Sequence, residues 1–466
     1  MAIDWKKEAA ARKEDFLADL IELLKIDSVR DDNKATDDAP VGPGPKEALE
    51  AFLALGERDG FVTKNVGNLA GHIEYGDGDE TMGVFAHVDV VPVGTGWETD
   101  PFSPVIKDDR IYARGSSDDK GPGVAAYYAL KMIKDLELPV SKKIRFIIGT
   151  DEESGWMCMD HYLANEPIPD FGFSPDAEFP IINGEKGILT VYVNTKGDNK
   201  GGKNELMSFD AGLRENMVPQ DATAVFTSEE AKQIEKDFYE FVEVSPITGT
   251  IKVEDKQVTI EVGGKAAHGM APHLGVNAGT YLAAFLNRYS FGGDAKNYLQ
   301  LTAEYLHEDT KAEKLELNYI DDVMGDLTMN SGVFTFTPED GGVIAVNFRF
   351  PKGVTPEGIE IKVESKLAAF GVTLSRGKEQ TPHYVSAEDP LVKTLLDVYQ
   401  RQTGLEAHEH TIGGGTYGRL LERGVAYGAM FPNSIDTMHQ ANEFMAIDDL
   451  MNAMSIYAEA IYELIK

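Results

Sequence analysis

Two histidines and several carboxylates in this chain each fall just beyond a short apolar run that reads as a strand. His87-Val88-Asp89 follows TMGVFA, and Asp118-Asp119 follows RIYARGSS. Glu152-Glu153 follows KIRFIIGTD, Asp176 follows FGFSP, and His439 comes a few residues after VAYGAMF. In an open α/β sheet, ligands bind outside the carboxyl ends of the strands. Metal-ligating residue types recurring at that one topological position point to a metal centre, and their number suits two divalent ions.

Each spacing has its own chemical logic. Residues two apart on an extended chain face the same way, so one of His87 and Asp89 can ligate while the other steadies it. A carboxylate has two oxygens, and one of Asp118 and Asp119 can therefore bridge two cations. The same Asp118-Asp119 pair suits a helix N-terminus, where one aspartate caps and meets the dipole. Neighbours in an extended segment point opposite ways, which lets one of Glu152 and Glu153 ligate while the other stands over a water as general base. Taken alone, that pair reads more readily as a solvated acidic turn. Asp176 adds one more carboxylate, and His439 is the histidine placed to close a second metal's shell.

A rival signal lies in IGGGTYG, where Gly413, Gly415 and Gly418 satisfy G-x-G-x-x-G between an extended run and an expected helix. The motif comes about fifty residues from the last residue, too late for a full dinucleotide-binding half. The following strand also lacks the acidic residue that would hold a ribose. Backbone N–H groups near Gly415 fit a substrate carboxylate or oxyanion better than a nicotinamide cofactor.

The bulk numbers narrow the class. A chain of 466 residues favours two domains over one core. Its 44 basic and 78 acidic residues give a net charge of −34, which repels phosphate backbones and anionic membranes. The single cysteine, Cys158, excludes an intramolecular disulfide and suits a reducing compartment. In WMCMDHYL it reads as filler on the apolar side of a helix. The first residues are charged throughout and lack the apolar core of a signal peptide, and no apolar run approaches the ~18 residues of a spanning helix. A cytoplasmic protein is expected, with neither nucleic acid nor membrane as partner.

Periodicity supplies the elements that position these residues. An amphipathic helix is predicted over Asp4–Lys25, then strands at GHIEY and TMGVFA, a helix over Val124–Leu136, strand KIRFII, a helix over Trp156–Leu163 and strand FGFS. That alternation predicts an α/β domain with a mostly parallel central sheet. From Gly184–Gly187 to about Gln380, alternating strands (GTIKVEDKQVTIEV and the hairpin GVFTFTPEDGGVIAVNFRF) mix with helices at Ala231–Val242 and Gly358–Phe370, as in an antiparallel α+β domain. Helix Leu391–Gln402, strand VAYGAMF and helix Asp448–Ile465 then resume the first pattern. The division expected is residues 1–185 and 381–466 as a catalytic domain, interrupted by a lid over 186–380.

GVFAHVDVVP, ARGSSDDKGP, GTDEESGW, FSPDAEFP and MHQANEF together resemble the motif series of the zinc-dependent aminoacylase and dipeptidase superfamily. HxLGVNAGTYLA, NFRFP and IGGGTYGRL bring the resemblance closest to bacterial PepV-type dipeptidases, also called Xaa-His dipeptidases or carnosinases. The likeness runs over essentially the whole chain. It implies two zinc ions (cobalt or manganese being alternatives), one held by His87, Asp118 and Asp176, the other by Asp118, Glu153 and His439. Asp89 would orient His87, and Glu152 would be the base that activates a metal-bridging water. From the lid, the resemblance implies that His268 stabilises the oxyanion while Asn216 and Arg349 clamp the substrate's terminal carboxylate. Asp119 is the expected neighbour of the free amine. The implied activity is hydrolysis of unblocked dipeptides with broad side-chain tolerance, by a monomer. An N-acyl amino acid deacylase would share every zinc residue, and a nicotinamide-dependent oxidoreductase or a non-enzymatic binding protein are the more distant alternatives.

Overall fold

The computed structural model describes residues 3–466. The chain forms two compact units. The first takes the residues up to Gly184 together with Tyr384–His410 and Gly415–Lys466; the second takes Glu185–His383 and Thr411–Gly414.

The first unit is built on six strands: β1 (Val62–Val66), β2 (Ala70–Tyr75), β3 (Thr81–His87), β4 (Lys143–Gly149), β5 (Phe171–Ser174) and β6 (Gly424–Ala426), in the order β1-β2-β4-β3-β5-β6. Strands β4, β3, β5 and β6 run parallel; β1 and β2 form an antiparallel edge. Because helices cover both faces, these strands are apolar on both sides. Ile144, Phe146 and Ile148 of β4 join the larger core, into which helices α1 (Lys120–Asp135) and α3 (Ile447–Ile465) send Tyr127, Tyr128, Met454 and Tyr457. Ile147 and Phe85 point the other way, onto Cys158, Met159 and Tyr162 of α2 (Met157–Asn165). Cys158 is indeed filler: its thiol is fully buried, lies 3.0 Å from the Tyr417 hydroxyl, and is pushed by burial up to about 12.

Three local expectations give way to tertiary structure. The opening helix is two, Trp5–Ala10 and Lys13–Leu24. Here the Arg12 N–H reaches back to Ala9 O in a tight turn, while its guanidinium binds the carbonyl and carboxylate of Glu8. VAYGAMF is likewise split into β6 and Ala429–Met430. Between them Gly428 takes φ +74°, and a Cβ there would sit 2.3 Å from the Phe179 ring. The glycine-rich motif leads only into a 3-10 turn, Tyr417–Leu420. A turn that short offers no helix N-terminus for a diphosphate, which removes the support for nicotinamide binding.

The second unit is one antiparallel sheet of eight strands, in the order Thr248–Glu254, Gln257–Gly263, Asp221–Ser228, Asn204–Ala211, Thr328–Thr337, Gly341–Phe350, Gly187–Thr195 and Thr373–Gln380. Helices Ala231–Glu243, Ala278–Leu286, Gly293–Leu301 and Pro356–Leu367 pack on it around Phe209, Leu282, Tyr298, Phe334 and Phe348. Strands such as Asp221–Ser228 and Gln257–Gly263 alternate between buried and more exposed positions, whereas Thr328–Thr337 and Gly341–Phe350, expected to alternate, are buried over most of their length.

One buried group makes the fold pH-sensitive. His72 of β2 is 4% exposed and lies 2.9 Å from the Tyr162 hydroxyl. Burial, aided by nearby Arg145, pulls its pKa down to about 4. The unfolded imidazole titrates near ~6.5, so folding excludes a proton below that pH. The His72 contribution should therefore fall away from pH 6.5 and level off near 4, costing about 3 kcal/mol in all. Denaturant unfolding at pH 7 and 4.5 should show a shallower loss for His72→Gln than for the parent; parallel losses would refute this.

Candidate metal centre

The site is assembled where the parallel strands end. At the last residue of β3, His87 is 1% exposed, with its ring held from below: Nδ1 lies 3.0 Å from the carbonyl oxygen of Asp89. That contact fixes the Nδ1 proton and leaves Nε2 for a ligand. Nε2 faces Asp118 Oδ1 at 3.0 Å and Asp176 Oδ2 at 3.6 Å. The Asp89 carboxylate is farther from the ring, at 3.4 Å, and instead accepts the N–H groups of Glu152 and Glu153, each at 3.1 Å. Asp89 thus ties the end of β3 to the turn after β4 as well as steadying the histidine.

Asp118 lies in the loop before α1. Its second oxygen, Oδ2, is 2.9 Å from His439 Nε2, and the same nitrogen is 3.1 Å from Glu153 Oε1. One carboxylate therefore spans two imidazoles that belong to distant parts of the sequence. His439 itself has φ +62°, in the left-handed region, a conformation uncommon outside glycine and concentrated at functional sites. Ligand atoms of His87, Glu152 and Asp176 lie within 4.8 Å of one another, as do those of His87, Asp118 and Glu153.

Asp119 departs from expectation. It is completely buried, and its Oδ2 accepts the His87 N–H at 3.2 Å, so it offers no exposed surface to a substrate amine. Although it stands at the N-cap of α1, its side chain makes no capping bond. The carboxylate turns inward beneath β3, and its Oδ1 has no hydrogen-bond partner.

The electrostatics favour cations. Burial and the surrounding carboxylates raise the pKa of Glu152 and Asp176, and push Glu153 up to about 8. Burial likewise raises Asp119, with Asp176 adding to it. Asp118 goes the other way: burial opposes its charge, but His439 and His87 outweigh it and hold the group low. Hydrogen bonds to Asp118 and Glu153 push His439 up to about 11. For His87, burial opposes protonation, yet Asp118, Asp176 and Asp89 overcome it. Carboxylates so crowded are stable as anions only when paired or coordinating metal. The donor set, oxygen-rich with two imidazoles and an orphaned buried oxygen beside it, fits a pair of divalent ions.

Two bracing ion pairs escape a reading of the sequence. Asp151 is fully buried, pairs with Arg30 at 2.7 Å and accepts the Met157 N–H at 3.0 Å, holding the Glu152-Glu153 turn. Arg114 and Glu443, both about 1% exposed in their side chains, pair at 2.6 Å beside the Asp118 loop. Neither carries a sequence signal, because much of what they hold is backbone.

In the second unit, His268 Nδ1 accepts the Met270 N–H at 3.1 Å, which assigns the neutral ring's proton to Nε2. Its neighbour Gly269 donates to the carbonyl of exposed Asn216 at 2.7 Å. Arg349 is 5% exposed, and its Nε donates to Asn347 and its Nη1 to the carbonyl of Gly413. Asn216 and Arg349, with Arg214 and Lys378, line a cleft of about 450 Å³. Gly415 lies half-buried in the first unit's segment before Tyr417.

An α/β unit with carboxylates and imidazoles gathered at its strand ends defines a metallohydrolase-type site. The chain belongs to peptidase family M20/M25/M40, whose model matches residues 83–463. It is 45% identical over 464 residues to the "Putative dipeptidase" of Staphylococcus haemolyticus, covering 99% of each chain. It is 46% identical over 464 residues, again with 99% of each covered, to the protein of the same name from Staphylococcus epidermidis. Among solved structures it resembles human carnosine dipeptidase 1, with TM-score 0.60 and 15% identity over 99% of this chain and 98% of that one. Aminoacylhistidine dipeptidase from Vibrio alginolyticus is similar at TM-score 0.58 and 14% identity, over 96% and 97%. These likenesses establish the fold, a mixed α/β architecture. Among the described residues, no helix is long and apolar enough to cross a membrane.

Chelator-stripped protein should gain stability when divalent ions are restored. At about 100 times Kd the gain is about 2.7 kcal/mol, read as a rise in Tm by calorimetry. Asp118→Asn should lose most of it. An unchanged Tm in the parent protein would rule out a metal here.

Proposed function

We propose that this chain is a metallo-dipeptidase that cleaves unblocked dipeptides with broad tolerance for their side chains. The observation that carries the reading is Asp118, one carboxylate set between His87 and His439 with Glu153 and Asp176 at its flanks. His87, Asp118 and Asp176 are assigned to one divalent ion, and Asp118, Glu153 and His439 to the other. Zinc suits the imidazole and carboxylate donors, as cobalt or manganese would. When bound, the two ions supply Lewis acidity toward the scissile carbonyl and toward water.

The remaining chemistry belongs to the protein. Glu152 is half-buried, and its partial withdrawal from water together with the nearby carboxylates raises its proton affinity, as a group that must accept a proton from the attacking water requires. It then passes that proton to the departing amine. His268, protonated on Nε2, is assigned to donate to the developing oxyanion. Arg349 is assigned to the substrate's terminal carboxylate, since a fixed guanidinium pairs with that group bidentately, and Asn216 of the same cleft assists. A fixed charge for that terminus favours short substrates. The relatives named as dipeptidases, at 45–46% identity over almost the whole chain, support this substrate class.

Glu152→Ala should keep metal content near two ions per chain yet lower turnover by roughly 10²–10⁴; undiminished turnover would remove Glu152 from the role. Arg349→Ala should harm hydrolysis of dipeptides far more than of their C-terminal amides. Equal losses on both would defeat the clamp. Assaying dipeptides, tripeptides and acylated amino acids before and after chelation separates this reading from an N-acyl amino acid deacylase.

A further inference from the structure

The segment that delivers Asp118 has few backbone partners of its own. It is a tight loop between strand Arg110–Tyr112 and α1, and loops of this kind leave N–H groups that must be satisfied from elsewhere. In this structure one residue satisfies four of them. The backbone carbonyl of Glu443 accepts the Ala113 N–H at 3.1 Å. Its carboxylate Oε1 accepts the N–H groups of Gly115, Ser117 and Asp118 at 3.1, 2.9 and 3.2 Å. The other oxygen, Oε2, is held by Arg114 Nη1 at 2.6 Å. Arg114 is fixed in turn, donating to the carbonyls of Pro92 and Val93 and lying over the Trp97 ring.

Glu443 stands four positions after His439, on a loop closed at both ends. Thr437 Oγ1 accepts the Phe444 N–H at 3.1 Å, and Thr437 O accepts the Gln440 N–H at 3.1 Å. Directly after Glu443 the chain pairs as Phe444–Ala446 with Arg110–Tyr112. The side chain therefore couples the loop bearing Asp118 to the loop bearing His439.

We propose that Glu443 is a positioning residue that sets the distance between Asp118 and His439, and so the affinity for the divalent ion these two share. A neutral or shorter side chain could not hold three converging N–H dipoles and a guanidinium at once, and the Asp118 carboxylate would turn away from His439. Residues that orient ligands in this way typically change metal affinity by about 10–100-fold when altered. The inference rests on the two-ion reading above.

The test is a Co²⁺ titration of chelator-stripped protein, followed by visible absorption and calorimetry, with folding checked by circular dichroism. The parent protein should take up two ions. Folded Glu443→Gln should hold one of them about 10–100-fold more weakly, so that stoichiometry falls toward one at limiting metal. Glu443→Asp keeps the charge but is a methylene shorter, and should show the same selective weakening. If folded variants bind both ions as the parent does, the proposal is overturned. If neither variant folds, Glu443 is a folding residue and the proposal is overturned as well. A parent protein that binds no ion would instead defeat the metal-centre reading itself.

Discussion

Everything in the first unit answers to one electrostatic constraint: several carboxylates must lie within a few ångströms of each other, out of water, without expelling one another. Asp118 is the hinge of that arrangement, its two oxygens turned to two imidazoles. Such a cluster keeps its geometry only if the backbone beneath each member is fixed. The fixing is done largely by further carboxylates that accept main-chain N–H groups. Asp89 takes those of Glu152 and Glu153, Asp119 takes that of His87, and Asp151 takes that of Met157. Acidic residues here serve as two populations, one facing the chemistry and one bracing the loops from behind.

That division explains what the sequence could and could not convey. The parallel strands were legible because burial on both faces leaves continuous apolar runs, and the residues just past them are placed by topology alone. The alternation in the second unit was legible for the opposite reason, one face of its sheet being more exposed. The bracing residues were not. Asp151 and Glu443 bind largely backbone, and a backbone N–H leaves no trace in the order of side chains. Asp119 could be read as cap or ligand neighbour, and only the path of the chain into α1 turns it beneath β3. The break at Arg12 and the turn at Gly428 are likewise decided by contacts with Glu8 and Phe179 that no local pattern announces.

Charge has a second role on a larger scale. The chain carries −34 overall, yet the cleft of the second unit gathers Arg214, Arg349 and Lys378. With Glu215 as the one acidic residue of its lining, this cleft carries a local excess of positive charge in an otherwise acidic molecule.

The discontinuous make-up of the first unit has a consequence for the living cell. As the polypeptide leaves the ribosome, His87, Asp118, Glu153 and Asp176 emerge long before β6, His439 and helix α3. Leu450, Met454, Tyr457 and Ile461 of that helix are fully or almost fully buried, so the sheet's covering is also completed late. A half-translated chain thus lacks both the final imidazole and part of its own core. Neither the metal centre nor the cover of the sheet can be complete before residues 424–461 have been made.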